Sequence, residues 1–354
     1  MKIRLAVLLL MVLSGCDNSV PVEKGFAGLG GSAAAFSPVV PGRVFSFPAD
    51  HGPHDGFRIE WWYVTANLKD DQGREFGVQW TLFRSALNAG PTTAGWASQV
   101  IWLGHAAVTS ATAHHAAERY ARGGVGQAGV SPAPFSAWID DWRFSSQGPD
   151  TLTDLQLSAQ DKNFSYQLRL TSTGPLVLQG DQGFSQKSEQ GQASYYYSQP
   201  FFQASGTLQI DGRRYQVSGP AWLDREWSSQ PLTAHQTGWD WFSLHLDSGE
   251  QVMLYRMRQR DGEPYVTGTW IDAQGRTQPL HASDISLTPQ DTATVVGRSM
   301  PVRWSVRIPG KNLDISLTAL NPEAWMNLRI PYWEGPVRLS GSQGGQGYLE
   351  MTGY

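Results

Sequence analysis

The chain has 354 residues, with 27 Lys and Arg against 31 Asp and Glu and a formal net charge of −4. Charged residues make up 16% and aromatics 12%, which excludes a disordered chain, and the missing basic excess excludes a nucleic-acid partner. A single Cys rules out a disulfide framework and a Cys-rich zinc module.

Lys2 and Arg4 flank the start of an unbroken apolar run over residues 5–13. The run is far short of the about 20 residues that cross a bilayer, but it fits the apolar core of a signal peptide. Leu13-Ser14-Gly15-Cys16 closes it and resembles a bacterial lipobox, which implies cleavage before Cys16 and acylation of its thiol. The expected organisation is a signal peptide over 1–15 and a lipid-anchored tether over 16–48, the latter rich in Gly, Ala, Ser, Pro and Val. Asp17 resembles an inner-membrane retention signal, so the expected location is the periplasmic side of the inner membrane.

From residue 57 onward, apolar residues alternate with a period of two, the signature of strands. Phe57, Ile59, Trp61 and Tyr63 fall on one face, and Arg58, Glu60, Trp62 and Val64 on the other. Phe76, Val78, Trp80 and Leu82 repeat the pattern. Residues 100–103, 152–157, 164–170, 207–217, 239–246, 252–257, 265–271, 302–308 and 313–317 continue it. Turn signals such as Asp211-Gly212, Asp247-Ser248-Gly249 and Asp261-Gly262 separate many of these runs. Residues 113–121 (AHHAAERYA) alone read as a short helix, with His114 and His115 turned to solvent. The chain is therefore expected to be all-β, with enough strands for two barrels or sandwiches.

Several strands carry large apolar residues on both faces. A second apolar face implies either packed sheets or a barrel whose lumen takes an apolar ligand. Trp61, Tyr63, Trp80, Trp222, Trp239 and Trp241 are the candidate ligand-binding residues. Signatures for a serine-nucleophile elbow, a zinc protease, a P-loop and a dinucleotide fold are missing, so no cofactor is assigned. His51, His54 and Asp55 form a compact group that suits loop hydrogen bonding or a metal, and no metal is assigned.

The densest segment is residues 219–227 (GPAWLDREW). If extended, it places Trp222, Asp224 and Glu226 on one face, with the two carboxylates roughly 6.6 Å apart along the strand. Two carboxyl groups beside indole rings repel each other and hydrate poorly, so one stays protonated near neutrality and can serve as a general acid. The alternative is a structural ion pair in which Arg225 or another Arg neutralises one of them.

Three landmarks carry a family resemblance: residues 54–65 (HDGFRIEWWYVT), 219–227 followed by 238–242 (GWDWF), and 332–335 (YWEG) with 347–354 (GYLEMTGY). Together they resemble the lipocalin-like family of predicted secreted hydrolases that includes the AttH-type, ABC-transporter-associated proteins. That family is related to carotenoid hydratases (hydroxyneurosporene synthases). The resemblance implies two tandem lipocalin-like antiparallel β-barrels, over 49–230 and 231–354. It also implies Asp224 as the catalytic acid, with Trp222 where the hydratases carry Tyr. Tyr195, Tyr196 and Tyr197 fall near the hydratases' His-x-Trp, and no His is present there.

Two functions follow. One is a membrane-anchored protein that binds or carries a lipid or isoprenoid, partnered with an ABC transporter permease and ATPase. The other is a hydratase or hydrolase-like enzyme using Asp224, supported by Glu226, Tyr195 or Tyr197.

Overall fold

The computed structural model describes residues 35–149, 152–229, 232–233 and 235–354. Cys16, the expected signal peptide and most of the expected tether lie outside the described residues. Among the described residues, no helix is long and apolar enough to cross a membrane.

The first sheet is built from β1 (Ile59–Asp70), β2 (Glu75–Ala86), β3 (Val100–Ser110), β4 (His114–Arg122), β5 (Ala128–Pro132), β6 (Phe135–Ile139), β7 (Trp142–Ser146), β8 (Asp154–Gln160) and β9 (Phe164–Ser172). Two short strands, β10 (Val177–Leu178) and β11 (Phe184–Gln186), and two long ones, β12 (Ala193–Ile210) and β13 (Arg213–Ser228), complete it. Its order is β4-β3-β2-β1-β13-β12-β9-β8-β7-β6-β5, antiparallel throughout, with β10 and β11 on β12. The sheet curls into a barrel filled by Trp62, Trp80, Trp142, Phe144, Leu168 and their neighbours. Each buried Trp removes about 150–250 Å² from water. Gly104 on β3 lets Ile139 and Trp142 approach from the opposite wall, since a Cβ there would come within 2.7 Å of Ile139 Cγ2. Tyr166 on β9 closes the same interior by donating to the Gln79 carbonyl on β2 at 2.9 Å.

The second sheet comprises β14 (Gln236–Leu246), β15 (Gln251–Gln259), β16 (Tyr265–Ile271), β17 (Thr277–Leu280) and β18 (Ser286–Pro289). After the ribbon of β19 (Thr292–Val295) and β20 (Arg298–Pro301), it continues with β21 (Arg303–Ile308), β22 (Leu313–Ala319), β23 (Trp325–Met326), β24 (Tyr332–Gly341) and β25 (Gly345–Met351). Its order is β17-β16-β15-β14-β25-β24-β22-β21-β18, again curled, around Phe242, Leu254, Trp304, Ile315 and Trp333. The expected all-β, two-barrel fold is the one observed.

The helix expected over residues 113–121 is instead strand β4. Alanine-rich composition favours a helix in isolation, but pairing with β3 along its whole length overrides that propensity. His114 and His115 are half-buried rather than solvent-facing, and His114 Nδ1 is hydrogen-bonded to Thr109 Oγ1 at 2.9 Å.

One hairpin decides which side chains face out of the barrel. Asp211 and Gly212, at φ +49° and +78°, form the two-residue turn joining β12 to β13, the conformation this dipeptide favours. Along β12 the register slips by one residue between Gln199 and Phe202. Before this bulge Tyr195 and Tyr197 face the barrel interior; after it Phe202, Ala204 and Leu208 do. An inserted residue exchanges the two faces of a strand.

Candidate active site between the barrels

The outer face of β13 presents Trp222, Asp224 and Glu226, as their alternation predicts. Asp224 lies opposite Tyr63 on β1 and Ser198 on β12, and Tyr63 lies opposite Thr81 on β2, itself opposite His105 on β3. The next row is Tyr196, Glu226, Trp61, Phe83 and Leu103. These two rows form a floor. The roof comes from the second barrel, where Glu334, Glu350, Trp241 and Tyr255 lie side by side on β24, β25, β14 and β15. Between floor and roof is a cavity of about 300 Å³ with mainly apolar walls. The interior of the first barrel is filled by buried side chains, and the cavity lies between the barrels rather than inside this one.

Hydrogen bonds stitch floor to roof: Tyr63 donates to Glu334, and Trp241 Nε1 donates to Tyr196 Oη at 3.2 Å. His105 Nδ1 is bonded to Tyr332 Oη at 2.9 Å. Burial pushes the His105 pKa down to about 3, so this imidazole is neutral.

Asp224 is 2% exposed and accepts from Tyr196 Oη at 2.6 Å, Ser198 Oγ at 2.5 Å and Trp222 Nε1 at 2.6 Å. Among the described residues no cation contacts it. Arg225, its neighbour in sequence, points into the first barrel and pairs with Glu60 at 2.5 Å. Burial, aided by the charge of Glu226, lifts Asp224 to about 7 against the pull of its three donors. Glu350, half-buried at the cavity wall, also reaches about 7 through burial and the nearby Glu226 and Asp224, while Trp239 Nε1, donating at 2.7 Å, opposes the rise. Glu334 is pushed well above the usual carboxylate range by burial and by Glu350. Glu226 has a cation beside it: Lys187 Nζ lies 2.8 Å from it and over the rings of Tyr196 and Tyr255, and Ser194 also donates to Glu226.

Of the residues singled out by sequence, Asp224, Glu226, Trp61, Tyr63, Trp239 and Trp241 line the cavity together. Trp222 sits beneath, holding Asp224. Trp80 belongs to the first barrel's core. Tyr195 and Tyr197 face that same interior, Tyr197 Oη meeting His51 Nδ1 at 2.6 Å; Tyr196 is the Tyr that reaches Asp224. His54 stacks on Trp227 at 3.9 Å between Glu60 and Asp50, and Asp55 pairs with Arg84, so this group hydrogen-bonds at the barrel end. Among the described residues no cluster of three or more His, Cys, Asp or Glu is placed to hold a metal ion. Sequence reasoning missed Lys187, Ser194, His105, Tyr332 and the two Glu residues, although Glu334 and Glu350 stand within the terminal landmarks.

The family model for AttH-like proteins matches residues 38–354. The chain belongs to the AttH-like family. A crystal structure assigned as AttH from Nitrosomonas europaea is 34% identical, covers 90% of this chain and 100% of its own, and superposes with a TM-score of 0.80. Kievitone hydratase from Nectria haematococca shares the fold at 17% identity and a TM-score of 0.67, covering 90% of this chain and 96% of its own. CghA, solved with Sch210972, shares it at 12% identity and a TM-score of 0.50, over 91% and 97% of the two chains. No curated protein matches the chain significantly. This AttH-like protein thus has a fold also used by a hydratase, and carries its carboxyl cluster where its two barrels meet.

Proposed function

We propose that this AttH-like protein binds an unsaturated, mainly apolar molecule of isoprenoid type in the inter-barrel cavity and catalyses water addition to it. The observation that carries the reading is a buried carboxyl, Asp224, held with no cation in contact among the described residues, at the wall of an apolar, aromatic-lined cavity and lifted to about 7. In its protonated form the group transfers a proton to the less substituted carbon of a terminal isoprenoid double bond, leaving a tertiary carbocation and the Asp224 carboxylate. Trp61, Trp239 and Trp241 offer ring faces to that cation. Water then adds, and its surplus proton returns to Asp224, directly or by way of Glu350, restoring the acid. Kievitone hydratase, by its name, performs a hydration on the same fold, which supports the reaction class.

A second reading keeps the cavity and drops the reaction: the protein carries a lipid or isoprenoid, anchored through Cys16 at the periplasmic face and serving an ABC transporter. The apolar cavity favours it. One experiment separates the two. The protein is isolated from native membranes, the small molecules that accompany it are identified by mass spectrometry, and they are incubated with it in isotopically labelled water. Hydration adds the mass of one labelled water, and Asp224→Asn lowers the rate by about 10²–10⁴-fold while retaining the ligand. Bound ligand with no incorporation, in wild type and variant alike, overturns the hydratase reading in favour of carriage.

A further inference from the structure

The cavity has an identifiable mouth. Ile101 and Tyr120 both line it and are also 41% and 40% exposed, so cavity and solvent meet at their side chains. Two more large apolar residues surround this point. Leu87 follows β2, its amide bonded to the carbonyl of Gln99 at 2.8 Å, and is 55% exposed. Trp96, at 78%, is the most exposed Trp among the described residues, and its carbonyl accepts from Arg122 at 2.6 Å. Arg122 lies opposite Ile101 in the β3–β4 ladder, which ties the Trp96 loop to the mouth.

Cations frame the same rim. Arg122 is exposed, and the Arg329 guanidinium stands 5.9 Å from the Tyr120 ring centre, next to Ile330 of the cavity wall. The acidic groups nearby are already engaged: Asp55 with Arg84, and Glu118 with the Tyr120 hydroxyl and the Arg329 amide. A rim of Trp, Tyr and aliphatic side chains bordered by Arg has the composition that lies in a membrane–water interface, with rings at headgroup depth and guanidiniums on phosphates. It also surrounds the opening of an apolar cavity, so a lipid-soluble ligand entering there never crosses water. The sequence places its lipidation site, Cys16, 19 residues before the first described residue.

We infer that the mouth of the inter-barrel cavity docks on an anionic lipid bilayer, with Leu87, Trp96, Ile101 and Tyr120 entering the interface and Arg122 and Arg329 meeting headgroup phosphates. The inference rests on the cavity being the ligand site and is independent of whether Asp224 performs chemistry.

Cys16 is the sole Cys of the chain, so in a Cys16→Ser background, which also removes the acylation site, each introduced thiol is the single probe site. The full chain is prepared as Leu87→Cys, Trp96→Cys and Arg213→Cys, each labelled with an environment-sensitive fluorophore, with the parent chain as blank. Arg213, exposed, begins β13 and stands at the far end of the strand from Ser228. On vesicles of phosphatidylethanolamine and phosphatidylglycerol, the labels at 87 and 96 shift to the blue and are quenched by nitroxide lipids. The label at 213 keeps its aqueous emission. Raising the salt to about 1 M, which shortens screening to ~3 Å, or introducing Arg122→Gln with Arg329→Gln, weakens the signal at 87 and 96. Unchanged near-ultraviolet circular dichroism confirms that each variant is folded. Rim labels that remain as aqueous as the one at 213 overturn the inference. So does a shift that appears only when a membrane protein is added, which assigns the rim to a protein partner. Normal docking by Asp224→Asn without turnover leaves the inference standing and separates it from the hydration chemistry.

Discussion

Glu60 and Asp224 are both buried carboxyl groups on the adjacent strands β1 and β13, and their surroundings drive them in opposite directions. Glu60 faces into the first barrel, where Arg225 at 2.5 Å, Arg84 at 3.1 Å and His54 at 3.1 Å surround it. Although burial opposes ionisation, the Arg225 charge and the His54 contact hold it near 2. Asp224 faces outward, receives only neutral donors, and rises to about 7. The same cost of burying a charge is offset on one side of the sheet and left standing on the other. The first arrangement fixes structure; the second holds a proton that can be given away.

The comparison is broken most severely at Arg225. Arg225→Ala removes the nearest cation from Glu60, leaving Arg84 and His54 beside it, and is expected to cost about 3 kcal/mol of stability, read from urea denaturation midpoints. Asp224→Asn removes no ion pair and is expected to cost less than about 2 kcal/mol in the same assay. A result in the reverse order would assign the structural role to Asp224.

The pH dependence of stability sharpens the contrast. Asp224 and Glu350, raised from 3.8 and 4.5 to about 7, keep protons in the folded state that the unfolded chain has released. Stability therefore falls as pH rises from about 4 to about 7, then levels. Glu60 and Asp50, both lowered to about 2, work oppositely: the stability they confer is present above about 4 and lost as pH drops towards 2. Denaturation midpoints across pH should show a fall on both sides of a maximum near 4. Asp224→Asn flattens the neutral side only, and Glu60→Gln the acid side only.

The smallest effect is expected at Trp239, whose indole N–H donates to Glu350. Trp239→Phe removes one hydrogen bond, worth about 1 kcal/mol. Glu350 then titrates at higher pH, and the neutral limb of the stability profile moves up with it. An unmoved limb would show that burial and the neighbouring carboxylates set this group without the indole.

Much of the fold was legible because strand alternation survives in the sequence. The doubled aromatics of Glu60-Trp61-Trp62-Tyr63 did announce two buried faces, and the turn at Asp211-Gly212 formed as read. Asp224 was also legible, since Trp222, Asp224 and Glu226 keep their common face through an unbroken stretch of β13. The partner Tyr was not, because the bulge between Gln199 and Phe202 exchanges faces within β12, and nothing in three consecutive Tyr residues tells which side the middle one takes. Glu334 and Glu350 were out of reach for another reason. They meet Asp224 only because the second barrel packs on the first, a relation more than one hundred residues distant in sequence.

That packing has a consequence for how the site varies. Floor and roof of the cavity are written in separate stretches of the chain and held by separate cores. Changes along β14, β15 and β25 can therefore reshape the volume above the acid while β13 and its Arg225–Glu60 support stay untouched. Half of the cavity wall can thus change while the buried Asp224 carboxyl on the opposite side keeps its setting.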